Sequence, residues 1–214
     1  PAAFNDIAVT QGAARVAAIR GIGKDSASVK SAELARATGP GARYQEIGKQ
    51  IIEVDPTIKM ISSSPAFRAA EKRAETIVAN DAAILRAEGK QPIPFQIKSA
   101  KGKVIGYSAQ GLQYIKSVLD EMAESPTLRS QLGITGTEGG RIAGVRNVLV
   151  GWMNKNVPGW EETRKAYAAA SKPINEMQVG QELERALTKP LGEGERAGVF
   201  ASAVREAPRT IKRA

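Results

Sequence analysis

The chain has 214 residues, 42% hydrophobic and 25% charged, with a formal net charge of +9. These values are typical of a globular chain long enough to bury a core of its own. Because the sequence contains neither cysteine nor histidine, it excludes disulfides, zinc–thiolate sites, thiol nucleophiles and the Ser-His-Asp arrangement.

The basic surplus is spread thinly along the chain. Residues 1–107 carry 16 basic and 10 acidic side chains, and residues 108–214 carry 15 and 12. A diffuse surplus favours weak, non-specific association with polyanions, and we interpret it as a solvated basic surface. The sequence begins at Pro1 without methionine and stops in "TIKRA" within a helical pattern, so we interpret it as a fragment of a longer protein.

Small residues in helical patterns dominate the first ninety residues. "AAFNDIAVTQGAARVAAIRGIG" places small and apolar side chains on one helical face that the Gly21/Gly23 pair ends. A short helix is predicted from Val29 to Arg36, and Gly39-Pro40-Gly41 marks the first boundary.

Two stronger helical patterns follow. One apolar stripe recurs at helical spacing in "ARYQEIGKQIIEVDP": Tyr44, Ile47, Ile51 and Val54. Ser64-Pro65 is a start signal, with the serine as N-cap and the proline at the first helical position. It predicts a long helix over residues 65–88 that Gly89 ends.

The segment "QPIPFQIKSAKGKVIGYS" is the one stretch with extended character. Its two short runs flank Lys101-Gly102, which fits a small β-hairpin near residues 95–107 or an irregular connection. A single hairpin is not stable alone in water, so it would have to pack against helices.

The second half is predicted to form a helical bundle. Ser108 caps a helix that Ser125-Pro126 stops, and the connector "LGITGTEGG" leads to a helix carrying Trp152. A further helix follows Pro158-Gly159, in which Pro173 is expected to cause a kink or a restart. Trp152 is expected to pack across from Trp160 or Tyr167.

We interpret the apolar positions of these three helices as one packing seam of an antiparallel bundle. Its members are Leu112, Ile115, Leu119, Val145, Leu149, Trp152, Trp160, Tyr167 and Ile174.

Three places in the sequence carry residues that could support chemistry. The pairs Asp120/Glu121 and Glu161/Glu162 are adjacent on helices, about 100° apart, and so do not face each other as an acid–base dyad. The glycines of "GTEGGRIAG" invite a phosphate-binding interpretation, but the Gly-Lys-Ser/Thr ending of a nucleotide loop is missing. The sequence therefore predicts a non-enzymatic chain without catalytic, metal or cofactor residues.

The C-terminal "REAPRTIKRA" carries four basic residues and one acidic residue, Glu206. We interpret it as a solvated helix or as a contact for DNA or anionic lipid. The candidate polyanion contacts are Arg205, Arg209, Lys212 and Arg213.

Three segments together resemble a family. "GLQYIKSVLDEM", "AGVRNVLVGWMNKNVPGWEETRKAYAAASKPINEMQVG" and "ERAGVFASAVREAPRTIKRA" resemble a region of the large internal virion proteins of tailed phages, the DNA-ejection type. The residues that match the family pattern are Tyr114, Ile115, Lys116, Leu119, Asp120, Pro158, Trp160, Arg164, Tyr167, Ala168, Arg205, Ala207 and Pro208. The resemblance covers about half of the chain.

What the resemblance implies is a virion structural component inside the particle, with delivery to the host periplasm or envelope as a further expectation. Its partners would be copies of itself or other virion proteins, with weak contact to phage DNA or a host membrane, and no small-molecule substrate. The alternative is a basic helical module that binds DNA or an anionic membrane surface.

The expected fold is all-α with one minor hairpin. We divide the chain into an N-terminal helical region (1–90), a connector or hairpin (91–107), a helical bundle (108–190) and a C-terminal helical tail (191–214).

Overall fold

A computed structural model describes residues 17–134 and 136–188. In this part of the chain the helices are α1 (Ser26–Arg36), α2 (Ala42–Gly48), α3 (Pro56–Ser62), α4 (Pro65–Ala87), α5 (Ala109–Glu124), α6 (Pro126–Gln131), α7 (Thr137–Asn156) and α8 (Trp160–Thr188). Residues 17–23 are also helical, and a π-helical turn, Ala37–Gly41, joins α1 to α2. The strands are β1 (Ile51–Glu53), β2 (Gln96–Lys98) and β3 (Val104–Ser108). The predicted mostly helical fold with a minor hairpin is confirmed.

Several helices begin at a side chain that accepts a hydrogen bond from a backbone N–H three residues later. These caps are Asp25, Asp55, Ser64, Ser108 and Ser125. Three of them precede a proline, which loses no helical hydrogen bond at the first position: Pro56, Pro65 and Pro126. The predicted caps Ser64 and Ser108 are confirmed.

The chain divides into two compact units. The central unit is Arg43–Thr163, and the described residues of the terminal unit are 17–42 and 164–188. The boundaries predicted at 90 and 107 lie within the central unit, and the one predicted at 190 lies outside the described residues. No boundary falls at 90 because α4 packs on α5, so helices from both sides of that position share one core.

The core of the central unit forms around α5. This helix contacts α4 and α7, and α4 also contacts α7. The buried face of α5 carries five apolar side chains, each at most 1% exposed: Leu112, Ile115, Val118, Leu119 and Met122. Burying five such side chains contributes about 1.5–3 kcal/mol each, so α5 is the element that holds the unit together.

A three-stranded antiparallel sheet packs beside these helices, in the order β1-β3-β2. Tyr107 of β3 pairs with Ile52 on one side and with Gln96 on the other. The hairpin predicted near residues 95–107 is thus β2–β3, and β1 is an addition that the sequence did not predict. Its residues, Ile51 and Glu53 included, were expected in a helix, but that helix ends at Gly48.

Two further expectations differ from the structure. The connector "LGITGTEGG" is only partly a loop, because α7 already begins at Thr137. Pro173 does not restart the last helix, since α8 continues from Trp160 to Thr188. Proline removes one backbone donor, but Pro173 lies on the exposed side of α8 while Ser171 and Ile174 are buried. Packing of the buried face is a physical reason for the helix to continue.

In the terminal unit, residues 17–36 and α8 run antiparallel. Arg20 contacts Glu184, and the Gln181 side chain donates to the Gly23 carbonyl at 3.1 Å. At the crossing, a Cβ added to Gly180 would lie 2.4 Å from the Gly23 nitrogen. The two backbones therefore approach as closely as they do because both positions are glycine.

Candidate functional site

Six of the nine predicted seam residues belong to one core cluster of the central unit, and a seventh packs against it. Val145 is partly buried against this cluster, and the other six are between 0 and 6% exposed: Leu112, Ile115, Leu119, Leu149, Trp152 and Trp160. The Trp160 ring packs edge-on against Tyr44, with 5.3 Å between the ring centroids. The structure places these side chains in the hydrophobic interior.

The other two seam residues lie in the terminal unit. Ile174 is 1% exposed. Tyr167 is half-buried, and the Arg36 guanidinium carbon lies 5.2 Å from its ring centroid, a cation–π geometry. The same guanidinium donates to the Ser171 hydroxyl at 3.2 Å. Tyr167 thus helps to hold α1 against α8.

Asp55 links two distant parts of the central unit. One carboxylate oxygen accepts from the Ile58 N–H at 2.8 Å and caps α3, while the other accepts from the Trp152 indole N–H at 2.6 Å. Burial acts to raise the pKa of Asp55, but these hydrogen bonds outweigh it and hold the pKa below its ordinary value. The ionised carboxylate is therefore the form that fastens α3 to α7.

Two tyrosines fasten α4 to its neighbours in a similar way. The Tyr107 hydroxyl donates to Glu71 at 2.5 Å, and the Tyr114 hydroxyl donates to Asp81 at 2.6 Å. Burial and the hydrogen bond to Glu71 raise the pKa of Tyr107, and burial with the bond to Asp81 raises the pKa of Tyr114 to about 12. Both hydroxyls stay protonated at neutral pH and act as hydrogen-bond donors.

The adjacent carboxylates Asp120 and Glu121 bond in different directions. Asp120 binds Arg146 of α7 at 2.8 Å and Lys116 at 2.7 Å, whereas Glu121 lies 3.4 Å from Arg73 of α4. The two carboxylates therefore serve two helix–helix contacts and do not converge on one reacting atom. Glu161 and Glu162 lie in the first turn of α8, where the helix dipole favours negative charge.

An open cleft of about 450 Å³ lies where α7 begins. It is lined by Arg129, Ile134 and the glycines at 136, 139 and 140, among others. The Arg129 guanidinium donates to the carbonyls of Met122 and Ala123, at 3.1 Å each. The Arg129 guanidinium therefore caps the C-terminal end of α5, which gives it a structural role at the edge of the cleft.

Sequence reasoning missed the hydrogen-bonded partners of Asp55, Tyr107 and Tyr114. Asp55-Pro56 was visible as a restart of the chain, but nothing in the sequence pointed to Trp152. The candidate polyanion contacts Arg205, Arg209, Lys212 and Arg213 lie outside the described residues.

No family model, curated protein or solved structure matches the chain. Among residues 17–134 and 136–188, no helix combines the length and the apolar character that crossing a membrane requires.

Proposed function

We propose that this chain is a non-enzymatic helical interaction segment that assembles with copies of itself or with other proteins of a phage virion. The virion assignment rests on the sequence resemblance alone. The assembly role draws its support from the side chains that the structure leaves exposed on α8.

Four carboxylates of the central unit have structural partners. Asp55, Glu71, Asp81 and Asp120 each bond to a side chain of another helix or strand. A carboxylate that holds two elements together is tied to one geometry. This pattern supports a packing role for these groups.

The observation that carries the proposal is a face of small residues on α8. Ala166, Ala169 and Pro173 follow one another at three- and four-residue spacing, and all three are exposed. Small side chains let two helix axes approach closely. The backbone contact between Gly23 and Gly180 is an example within the terminal unit. A second helix can pack on this face at short distance.

The mass of the chain in solution tests the proposal. We expect the mass measured by light scattering and sedimentation to rise with protein concentration. The change Ala166→Glu with Ala169→Glu should abolish this rise, because two carboxylates would have to be buried in the contact.

A matched control is available on α4. Ala83 and Ala87 are also exposed on a helix, so Ala83→Glu with Ala87→Glu repeats the chemistry in the central unit. Circular dichroism first establishes that both variants are folded. A parent chain that stays monomeric at high concentration, or an equal loss in both variants, would refute assembly through α8.

A further inference from the structure

The β2–β3 hairpin lies in the longest stretch of the sequence without an acidic residue. Residues 89–119 contain five lysines and neither aspartate nor glutamate. Three of these lysines form ion pairs with carboxylates outside the stretch: Lys90 with Glu88, Lys98 with Glu75, and Lys116 with Asp120. The remaining two, Lys101 and Lys103, lie at the hairpin turn.

Lys101 and Lys103 are both exposed. Within residues 17–134 and 136–188, neither has a carboxylate within ion-pair distance. Their charge is therefore not offset by a carboxylate of the described chain, unlike that of the other three lysines.

The turn that carries them is held by three hydrogen bonds. The Ser99 N–H donates to the Lys103 carbonyl and the Gly102 N–H donates to the Ser99 carbonyl, at 2.8 Å each. The Lys103 N–H also donates to the Ser99 hydroxyl at 3.2 Å. Gly102 has a φ of 75°, a conformation that glycine adopts without strain. These hydrogen bonds fix the backbone conformation from which the side chains of Lys101 and Lys103 project.

The turn extends beyond the body of the sheet. β1 pairs with β3 only at residues 106–108, and the last pair of β2 with β3 is Lys98 with Val104. Residues 99–103 therefore form a turn beyond the three-stranded part of the sheet. Lysines on such a projecting turn can contact the phosphates on the outside of a nucleic acid.

We infer that the tip of this hairpin, residues 98–103, binds the phosphate backbone of nucleic acid. Lysine acts on phosphate as a point charge and reads no sequence. The four residues of the turn, Ser99 to Gly102, include no aromatic or large aliphatic side chain of the kind that inserts into lipid. Nucleic acid is therefore favoured over a membrane. The inference is independent of assembly through α8.

The test measures binding of the full chain to a short labelled DNA duplex over a range of salt concentrations. For Lys101→Gln with Lys103→Gln, we expect weaker binding at every salt concentration. The slope of log affinity against log salt should become shallower by about 1.8, which corresponds to two lost phosphate contacts.

The control changes two exposed lysines of the same unit, Lys59→Gln with Lys155→Gln, for the same loss of charge. It should leave most of the slope intact. Equal losses in both variants would assign binding to the diffuse surplus and overturn the inference, as would a parent chain that does not bind the duplex at low salt. Vesicles of anionic lipid are the second probe. Loss of vesicle binding in the hairpin variant with an unchanged duplex slope would make a membrane the partner and overturn the inference as well.

Discussion

Gly111 is the position where a single methyl group tests the packing of the central unit most directly. It lies in the first turn of α5, where replacing glycine by alanine in an open helix stabilises by up to about 1 kcal/mol. Here a Cβ would lie 2.3 Å from the Phe95 carbonyl oxygen and 3.1 Å from the Phe95 ring. The nearer atom belongs to the backbone, so it cannot rotate away as a flexible side chain would.

The backbone before β2 has little freedom to move. The Phe95 carbonyl accepts from the Ser108 N–H at 3.2 Å, and Phe95 itself is 8% exposed. Inserting a methyl group into such a site costs about 1–3 kcal/mol. Because the nearer atom is backbone, the upper end of this range applies. After a gain in helix propensity of up to about 1 kcal/mol is subtracted, we expect Gly111→Ala to lower the free energy of unfolding by about 2 kcal/mol.

Gly144→Ala in α7 is the matched control, because nothing lies within 4 Å of a Cβ at that position. It should stabilise the protein by about 0.5–1 kcal/mol. Urea unfolding followed by tryptophan fluorescence measures both changes in one assay. If Gly111→Ala proved neutral or stabilising like Gly144→Ala, the close approach of α5 to Phe95 would be refuted.

Asp55→Ala should cost about 2 kcal/mol at pH 7, because it removes both a helix cap and the Trp152 hydrogen bond. Since the pKa of Asp55 is lowered in the fold, its stabilisation is complete above the unfolded value near about 3.9 and is lost as pH falls through the folded value. Urea unfolding at pH 7 and pH 3 should show this difference shrinking, whereas Ser64→Ala should cost about 1 kcal/mol at both pH values. Tyr114 makes stability depend on pH in the alkaline range, because its pKa is raised to about 12 in the fold. The stabilisation from its hydroxyl is complete below the unfolded pKa of about 10 and is lost as pH rises toward 12. In Tyr114→Phe, the melting temperature should therefore fall less steeply with pH between about 10 and 12 than it does in the parent. An identical dependence of melting temperature on pH in variant and parent would contradict this role for Tyr114.

Helix caps, apolar helix faces and the hairpin turn could be predicted from the sequence because each depends on residues only a few positions apart. Ser64 and Ser108 bond to N–H groups three positions on, and the apolar face of α5 follows helical spacing. Lys101-Gly102 marked the hairpin turn through the backbone preference of glycine. Such signals need no knowledge of the rest of the chain.

Tertiary structure alone decided the rest. Ile51 and Val54 continue the helical stripe of Tyr44 and Ile47, yet Ile51–Glu53 forms a strand because β3 offers it an edge to pair with. Asp55 and Trp152 are 97 residues apart in sequence, and Glu71 and Tyr107 are 36 apart. A hydrogen bond at such a separation exists only after packing has brought the elements together, so no local pattern encodes it. Helices, caps and the hairpin turn thus follow from the sequence, whereas the partners of the buried polar groups follow from how the helices pack.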